Sequence, residues 1–196
     1  MKIIIIKEAS EIPMETYKVA NIIKERRSIK EFKKDPIPKE VICELLNTAV
    51  WAPNHGLREP WRFVLFMNEG KEKLVAAIAQ ETNNGKNIDR LREKLLPIPA
   101  YLLVIMKEDP RQKQWEEDLK ATSALIQNFQ LAAWEKGIGV IWKTGAYIYS
   151  PSFRQKVGVE PGEKIVGLLH IGYPASIPEP KQRTNAEEKL TIIESY

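Results

Sequence analysis

Apolar positions follow two rhythms along this chain. From Lys39 to about Trp51, Ile42, Leu45, Leu46 and Ala49 recur at the i, i+3, i+4, i+7 spacing of a helix with one buried face. Pro38 suits the first helical position, and Pro53 ends the element. Val19, Ile22 and Ile23 place an earlier helix over Met14 to about Arg26, and a further one is expected from Lys71 to about Gln80. Glu116 to Lys136 lacks Gly and Pro, keeps a long apolar period through Leu119, Leu125 and Phe129, and reads as the longest helix. Its small residues, Ala121, Ser123, Ala124, Ala132 and Ala133, would let another helix approach closely, and Gly137 is a natural stop. Ser150-Pro151 opens a short helix as N-cap and first residue. The second rhythm is the short apolar run between turn residues. Trp61 to Met67, Tyr101 to Met106, Val140 to Trp142 and Lys164 to Ile171 read as strands.

Other stretches carry neither rhythm. Lys2 to Ile6 is β-branched and fits a short strand or arm within residues 1–13, broken by Pro13. Glu81 to Lys94 is polar around Thr82-Asn83-Asn84-Gly85 and reads as a mobile helical excursion or lid, and Asp109 to Gln114 as a charged loop. Past Gly172, the prolines at 174, 178 and 180 leave residues 174–196 as a tail without its own core. Such a tail is either disordered or laid on another surface, and Ile192, Ile193 and Tyr196 favour docking. The whole predicts one α+β domain over 1–196, a mostly antiparallel or mixed sheet flanked by helices.

Composition adds bounds. The 196 residues are 43% hydrophobic and 29% charged, an ordinary soluble globular balance. The net charge of +4 suits small anionic ligands as well as nucleic acid. No apolar run reaches the ~18 residues a membrane span requires, and Met1 to Ile6 is far too short for a signal sequence. The one cysteine, Cys43, excludes an internal disulfide framework, sits in a helical pattern that predicts a buried thiol, and makes the cytoplasm the expected compartment. One Cys and two His leave too few ligands for a zinc or iron centre, and His170, in an apolar strand, reads as structural. Gly137-Ile138-Gly139 starts a dinucleotide pattern, but Trp142 takes the third glycine position and the order is helix to strand.

The chemistry gathers at Glu25-Arg26-Arg27-Ser28-Ile29-Lys30-Glu31-Phe32, where the first helical pattern stops. Cations at a helix C-terminus complement its dipole and stay solvated. Guanidinium and hydroxyl donors in one short segment equally suit a phosphate.

With this segment as its first element, the chain resembles the nitroreductase family, enzymes that use FMN and take electrons from NADH or NADPH, and within it the compact bacterial branch. The resemblance rests on Arg26-Arg27-Ser28-Ile29-Lys30-Glu31-Phe32; on Ala52-Pro53-Asn54-His55 followed by Glu59-Pro60-Trp61-Arg62-Phe63; on Gly137-Ile138-Gly139 leading to Trp142-Lys143-Thr144-Gly145; on Lys164 to Pro174; and on Lys181-Gln182-Arg183. It spans about Ile22 to Arg183, with a departure at Gly56-Leu57-Arg58-Glu59, where many members carry Gln or Asn before the Pro-Trp. It implies a nitroreductase-like layered dimer with the flavin in the subunit interface. Arg26, Arg27, Ser28 and Arg183 would hold the FMN phosphate, Lys30 would face flavin N1 and O2, and Trp142, Lys143, Thr144 and Gly145 would run beside the ring. Trp51 would also contact the cofactor, Pro53, Asn54 and His55 would come from the partner subunit, and the tail would dock there. The implied reaction is ping-pong transfer of a hydride to nitroaromatic, quinone or similar acceptors, carried by the flavin with no catalytic side chain and no metal. Dehalogenation or flavin breakdown is the alternative within the family. Outside it, the alternative is a non-enzymatic basic module binding a ligand or nucleic acid. The partners expected are a second copy and a small acceptor, not nucleic acid or a membrane.

Overall fold

The computed structural model describes residues 18–82 and 88–194. The arm expected at 1–13 and the start of the first helical pattern lie outside them. Six helices are described: α1 (Lys18–Glu25), α2 (Lys39–Ala49), α3 (Gly70–Glu81), α4 (Ile88–Leu95), α5 (Gln112–Glu135) and α6 (Pro151–Lys156). Four strands, β1 (Trp61–Met67), β2 (Ala100–Lys107), β3 (Gly139–Lys143) and β4 (Glu163–Gly172), form one sheet in the order β1-β2-β4-β3. Every pairing between these strands is antiparallel, so the sheet is not mixed.

Strand alternation sorts the core into two layers. Leu102, Val104, Leu169 and Ile171 face Ile42 and Leu45 of α2 and Leu125 and Phe129 of α5. Tyr101, Leu103 and Leu168 face Leu74 and Val75 of α3, Leu95 of α4 and Phe153 of α6. Each fully buried apolar side chain contributes about 1.5–3 kcal/mol of transfer free energy. As expected, Ser150 caps α6, its hydroxyl accepting from Phe153 N at 3.4 Å.

Two glycines allow close approaches at β3. A Cβ on Gly139 would stand 2.6 Å from Ile29 Cγ1, and one on Gly167 would stand 2.0 Å from Trp142 Nε1. The indole of Trp142 therefore lies across Gly167 of the adjacent strand and donates to Val166 O at 3.1 Å. Ile29 is completely buried and fixes the chain after α1 against the outer edge of β3. There Ile29 N donates to Val140 O at 3.2 Å, and an isolated parallel bridge joins Ser28 to Val140. Lys33 N donates to Tyr173 O at 2.8 Å, and Ala175 N to Glu31 O at 3.0 Å. The segment that gathers the cations is thus held at both ends by main-chain bonds.

Several expectations need correction. Helix α5 begins at Gln112, inside the stretch read as a charged loop. Helix α2 ends at Ala49, so Trp51 lies beyond it and is 86% exposed. Cys43 is exposed, not buried, because the buried stripe of α2 is Ile42, Leu45 and Ala49, and Cys43 sits about 100° round the helix from Ile42. In contrast, the stretch read as a helical excursion does contain a helix, Ile88–Leu95, while residues 83–87 lie outside those described.

Candidate functional site

The site begins with the cations at the end of α1. Arg26 is half-buried, and its guanidinium reaches Gln130 Oε1 on α5 at 3.5 Å. Its pKa is lowered, first by burial and then by the charges of Arg27 and Arg183. Arg183, more than 150 residues further along the chain, is thus near enough for its charge to act on Arg26. Among the described residues neither Arg26 nor Arg27 forms an ion pair, and the buried Nε of each has no hydrogen-bond partner. Arg27 is partly committed, since its Nη1 donates to Lys24 O at 2.6 Å and to Arg26 O at 2.9 Å. It closes the C-terminal turn of α1 as well as adding charge. Ser28 follows with an exposed side chain. Two adjacent guanidinium groups with orphaned Nε donors, and the charge of Arg183 acting on Arg26, leave unfavourable self-repulsion, which an anion would relieve.

A second feature lies on the sheet face that carries α3, α4 and α6. It is a cleft of about 360 Å³ whose wall includes Lys30, Lys143 and Gly145. Its floor is His170 on β4, which is 7% exposed, with its Nε2 lacking a partner. The His170 ring meets Tyr101 edge-on at 4.8 Å. Burial, reinforced by Lys143 and Lys94, pushes the His170 pKa down to about 3 from an ordinary 6.5. The expectation of a structural His170 holds for its packing, but the residue also lines the cleft. Because the folded-state pKa is depressed, the unfolded chain takes up a proton at pH values where the folded chain does not. The stabilisation is complete above about pH 6.5 and is lost as pH falls toward 3, by about 1.4 kcal/mol per pH unit. His170→Gln should flatten the slope of unfolding free energy between pH 6.5 and 5, where few carboxylates titrate. An unchanged slope in urea titrations would refute the assignment.

Trp142 turns its indole to the opposite face, among the α2 and α5 core residues, so its side chain builds the sheet. Lys143 and Thr144 are exposed and Gly145 is half-buried, which leaves their backbone accessible beside the cleft. Trp51, Pro53 and His55 are exposed elsewhere. Pro53, Asn54 and His55 border a separate shallow cleft against Glu117, Lys120, Ala121 and Ala124 of α5. Within this chain they do not join the arginine cluster.

That loop is held in an unusual shape. Gly56, Leu57 and Glu59 have φ of 63°, 50° and 45°, a left-handed region that costs non-glycine residues about 1–2 kcal/mol each. Asn54 Oδ1 accepts from Glu59 N at 2.9 Å, and its amide donates to Ala52 O at 3.2 Å, so the Asn54 side chain is largely spent on the loop. Arg58 donates through Nε and Nη2 to Asp118 of α5 at 3.2 and 3.0 Å and through Nη2 to Asp109 at 3.0 Å. Asp118 is only 2% exposed. Hydrogen bonds from Arg111, then from Arg58, hold the Asp109 carboxyl well below its usual range. The Gly-Leu-Arg-Glu departure is thus a brace. Asp118 and Lys94 were not singled out from sequence. The only signal for Asp118 was a lone acid on the inner stripe of α5.

An antiparallel α+β sandwich with unpaired arginines at one sheet edge and a lysine-lined cleft on one face is the class that the structure defines. Residues 23–173 match the model of the nitroreductase family. The protein named "Putative NAD(P)H nitroreductase YfhC" of Bacillus subtilis is 39% identical over 178 residues, covering 87% of this chain and 92% of that protein. A crystal structure of a nitroreductase-like family protein from Bacillus cereus superposes with a TM-score of 0.87 at 48% identity, covering 90% of this chain and 96% of the other. A crystal structure of oxidised iodotyrosine deiodinase bound to FMN and 3-iodo-L-tyrosine shares the fold, with a TM-score of 0.69 at 21% identity over 91% of this chain and 99% of the other. The chain belongs to the nitroreductase family.

Proposed function

We propose that the protein is an FMN-dependent oxidoreductase that accepts a hydride from NADH or NADPH and delivers electrons to nitroaromatic, quinone or similar electron-poor acceptors. The observation that carries this reading is the pair of Arg26 and Arg27, whose buried Nε atoms have no partner, with the charge of Arg183 acting on Arg26. A phosphate dianion fits that donor set, and Ser28 adds a hydroxyl. FMN, when bound, supplies the redox chemistry and alternates between donor and acceptor in a ping-pong cycle. Lys30 and Lys143 place positive charge beside the cleft, where it favours an electron-rich ring. Gly145 and the exposed backbone of Thr144 permit close approach along the ring edge.

A homodimer completes the reading. Trp51, Leu57, Val19 and Ile23 are large apolar side chains exposed on the single chain, and so are Ile177, Leu190, Ile192 and Ile193 of the tail. Large exposed apolar surface on a monomer marks an association site. Pro53, Asn54 and His55 then reach the flavin of the neighbouring subunit, and the tail beyond Pro174 lies on that neighbour.

Purified protein should be yellow, should bleach when NADH or NADPH is added without air, and should recover colour with a nitroaromatic or a quinone. It should sediment at twice the 22.5 kDa chain mass. Protein that stays colourless after incubation with FMN would overturn the cofactor, and flavin-loaded monomers would overturn the dimer. Dehalogenation is the second reading, favoured by the fold shared with the deiodinase. Halide release from a halophenol under reducing conditions separates it from nitro or quinone reduction.

A further inference from the structure

The turn between Pro53 and Glu59 is held more firmly than its place in its own chain explains. Leu57 and Glu59 both keep a positive φ, which a residue with a side chain adopts only when its surroundings hold it there. Arg58, between them, turns back onto α5 and grips both carboxylate oxygens of Asp118, through Nε at 3.2 Å and Nη2 at 3.0 Å. A two-point grip of this kind fixes direction as well as distance. The Asp118 side chain is 3% exposed, so its charge is withdrawn from water to meet this guanidinium. Nη2 of Arg58 also reaches Asp109 at 3.0 Å, and Asp109 is held in turn by Nε and Nη2 of Arg111 at 2.9 and 2.8 Å. The relay Asp118, Arg58, Asp109, Arg111 thus ties the turn to the first part of α5. Leu57, one residue before the anchor, is left in solvent. No residue of 53–59 lines the lysine cleft of the same chain, and Pro53, Asn54 and His55 border only the shallow cleft on α5. A strained turn, anchored by a buried ion pair and tipped with an exposed leucine, is built to meet something outside its own chain.

We infer that Arg58 is a positioning residue that acts across the subunit interface: by gripping Asp118 it presets the Pro53–Glu59 turn, and with it the placement of Asn54 and His55 against the flavin of the neighbouring subunit. This rests on the dimeric flavin reading. Arg58 touches neither cofactor nor acceptor. Its effect is to order the turn before the cofactor arrives, so that binding does not have to order it. Without the grip, Leu57 and Glu59 are free to return to negative φ, and the turn loses its set shape. One consequence is specific to this arrangement. The arginines at the end of α1 and the Arg58 brace that serve one flavin belong to different chains, so each flavin needs Arg26 from one subunit and Arg58 from the other.

The test is complementation between two defective chains. Arg58→Met combined with Asp118→Leu removes the grip without leaving a buried carboxylate unpaired. Dimers of this double variant should bind FMN about tenfold more weakly than the native protein, as expected when a contact turn must be ordered on binding. The double variant is then co-expressed with Arg26→Ala under two affinity tags, and the mixed dimers are isolated. In each mixed dimer one flavin position draws on native Arg26 and native Arg58, and the other on neither. Fluorescence titration should therefore show one site per dimer with native FMN affinity, and turnover of a nitroaromatic should return to about half the native value. If Arg58 serves the flavin of its own chain, or only keeps that chain folded, every position in the mixed dimer carries a defect. No site of native affinity then appears, and the inference is overturned. Native FMN affinity in dimers of the double variant overturns it too. Should the double variant not fold, Arg58→Lys, which keeps the charge but loses the two-point grip, goes through the same mixing with the same deciding outcomes. Failure of the underlying reading looks different: native protein would stay colourless with FMN, or would carry flavin as a monomer.

Discussion

Arg26→Ala is expected to strip the protein of FMN at concentrations that saturate the native form. Removing one side of a buried, charge-assisted contact costs about 2–4 kcal/mol, or roughly 30- to 1,000-fold in affinity. The effect on the cofactor-free chain should have the opposite sign. Arg26 is half-buried beside Arg27 and Arg183, and its strongest described polar contact is the long 3.5 Å approach to Gln130. Deleting it relieves like-charge repulsion, so the cofactor-free variant should unfold at the native temperature or slightly above. The native protein at an FMN concentration of about 100 times Kd should gain roughly 2.7 kcal/mol, which for a chain of this size is about 5–10 °C in Tm. The variant should gain almost nothing at that concentration. Fluorescence titration of FMN and thermal melts with and without it measure both quantities. A variant that binds FMN with native affinity would show that the guanidinium belongs to the dipole of α1 and not to a phosphate.

Gly167→Ala is expected to be the most damaging single methyl in the described sheet. The new Cβ would fall 2.0 Å from Trp142 Nε1 and 2.3 Å from Cδ1. The indole cannot stay there, and displacing it breaks the bond to Val166 O and opens the layer that α2 and α5 cover. Overpacking together with the lost hydrogen bond points to about 2–4 kcal/mol, read as a shift in urea midpoint at constant slope. Trp142→Leu in the Gly167→Ala background should recover part of that loss, because the smaller side chain removes the clash. A single variant within 0.5 kcal/mol of native would mean that the ring has another place to go.

These two positions show what the sequence discloses and what it does not. Strand β1 runs from Trp61 to Met67 as read, because Pro60 and Asn68-Glu69-Gly70 bracket an unbroken apolar run. The start of α5 was misplaced, because Gln112 to Gln114 are polar and their helical state depends on the turn that Asp109 and Arg111 make. Cys43 was misjudged although the information was present, since the stripe of Ile42, Leu45 and Ala49 already put it outside. Arg26 and Ser28 could be singled out because they lie within three residues of each other. The brace of Arg58 on Asp118 spans 60 residues, and no local pattern pairs one arginine with one aspartate. Lys94 ends a polar stretch read as a helical excursion or lid, and only the fold brings it into one cleft with Lys143 of β3 and His170 of β4.

One geometric relation connects the two ends of the site. Helix α5 receives Arg26 at Gln130 and Arg58 at Asp118, twelve residues apart, which is about 18 Å along the axis at 1.5 Å per residue. The helix is therefore a gauge bar with one fitting at each end. Lengthening or shortening it by a single residue would swing one fitting by about 100° around the axis, so the two fittings together fix the length of this rod.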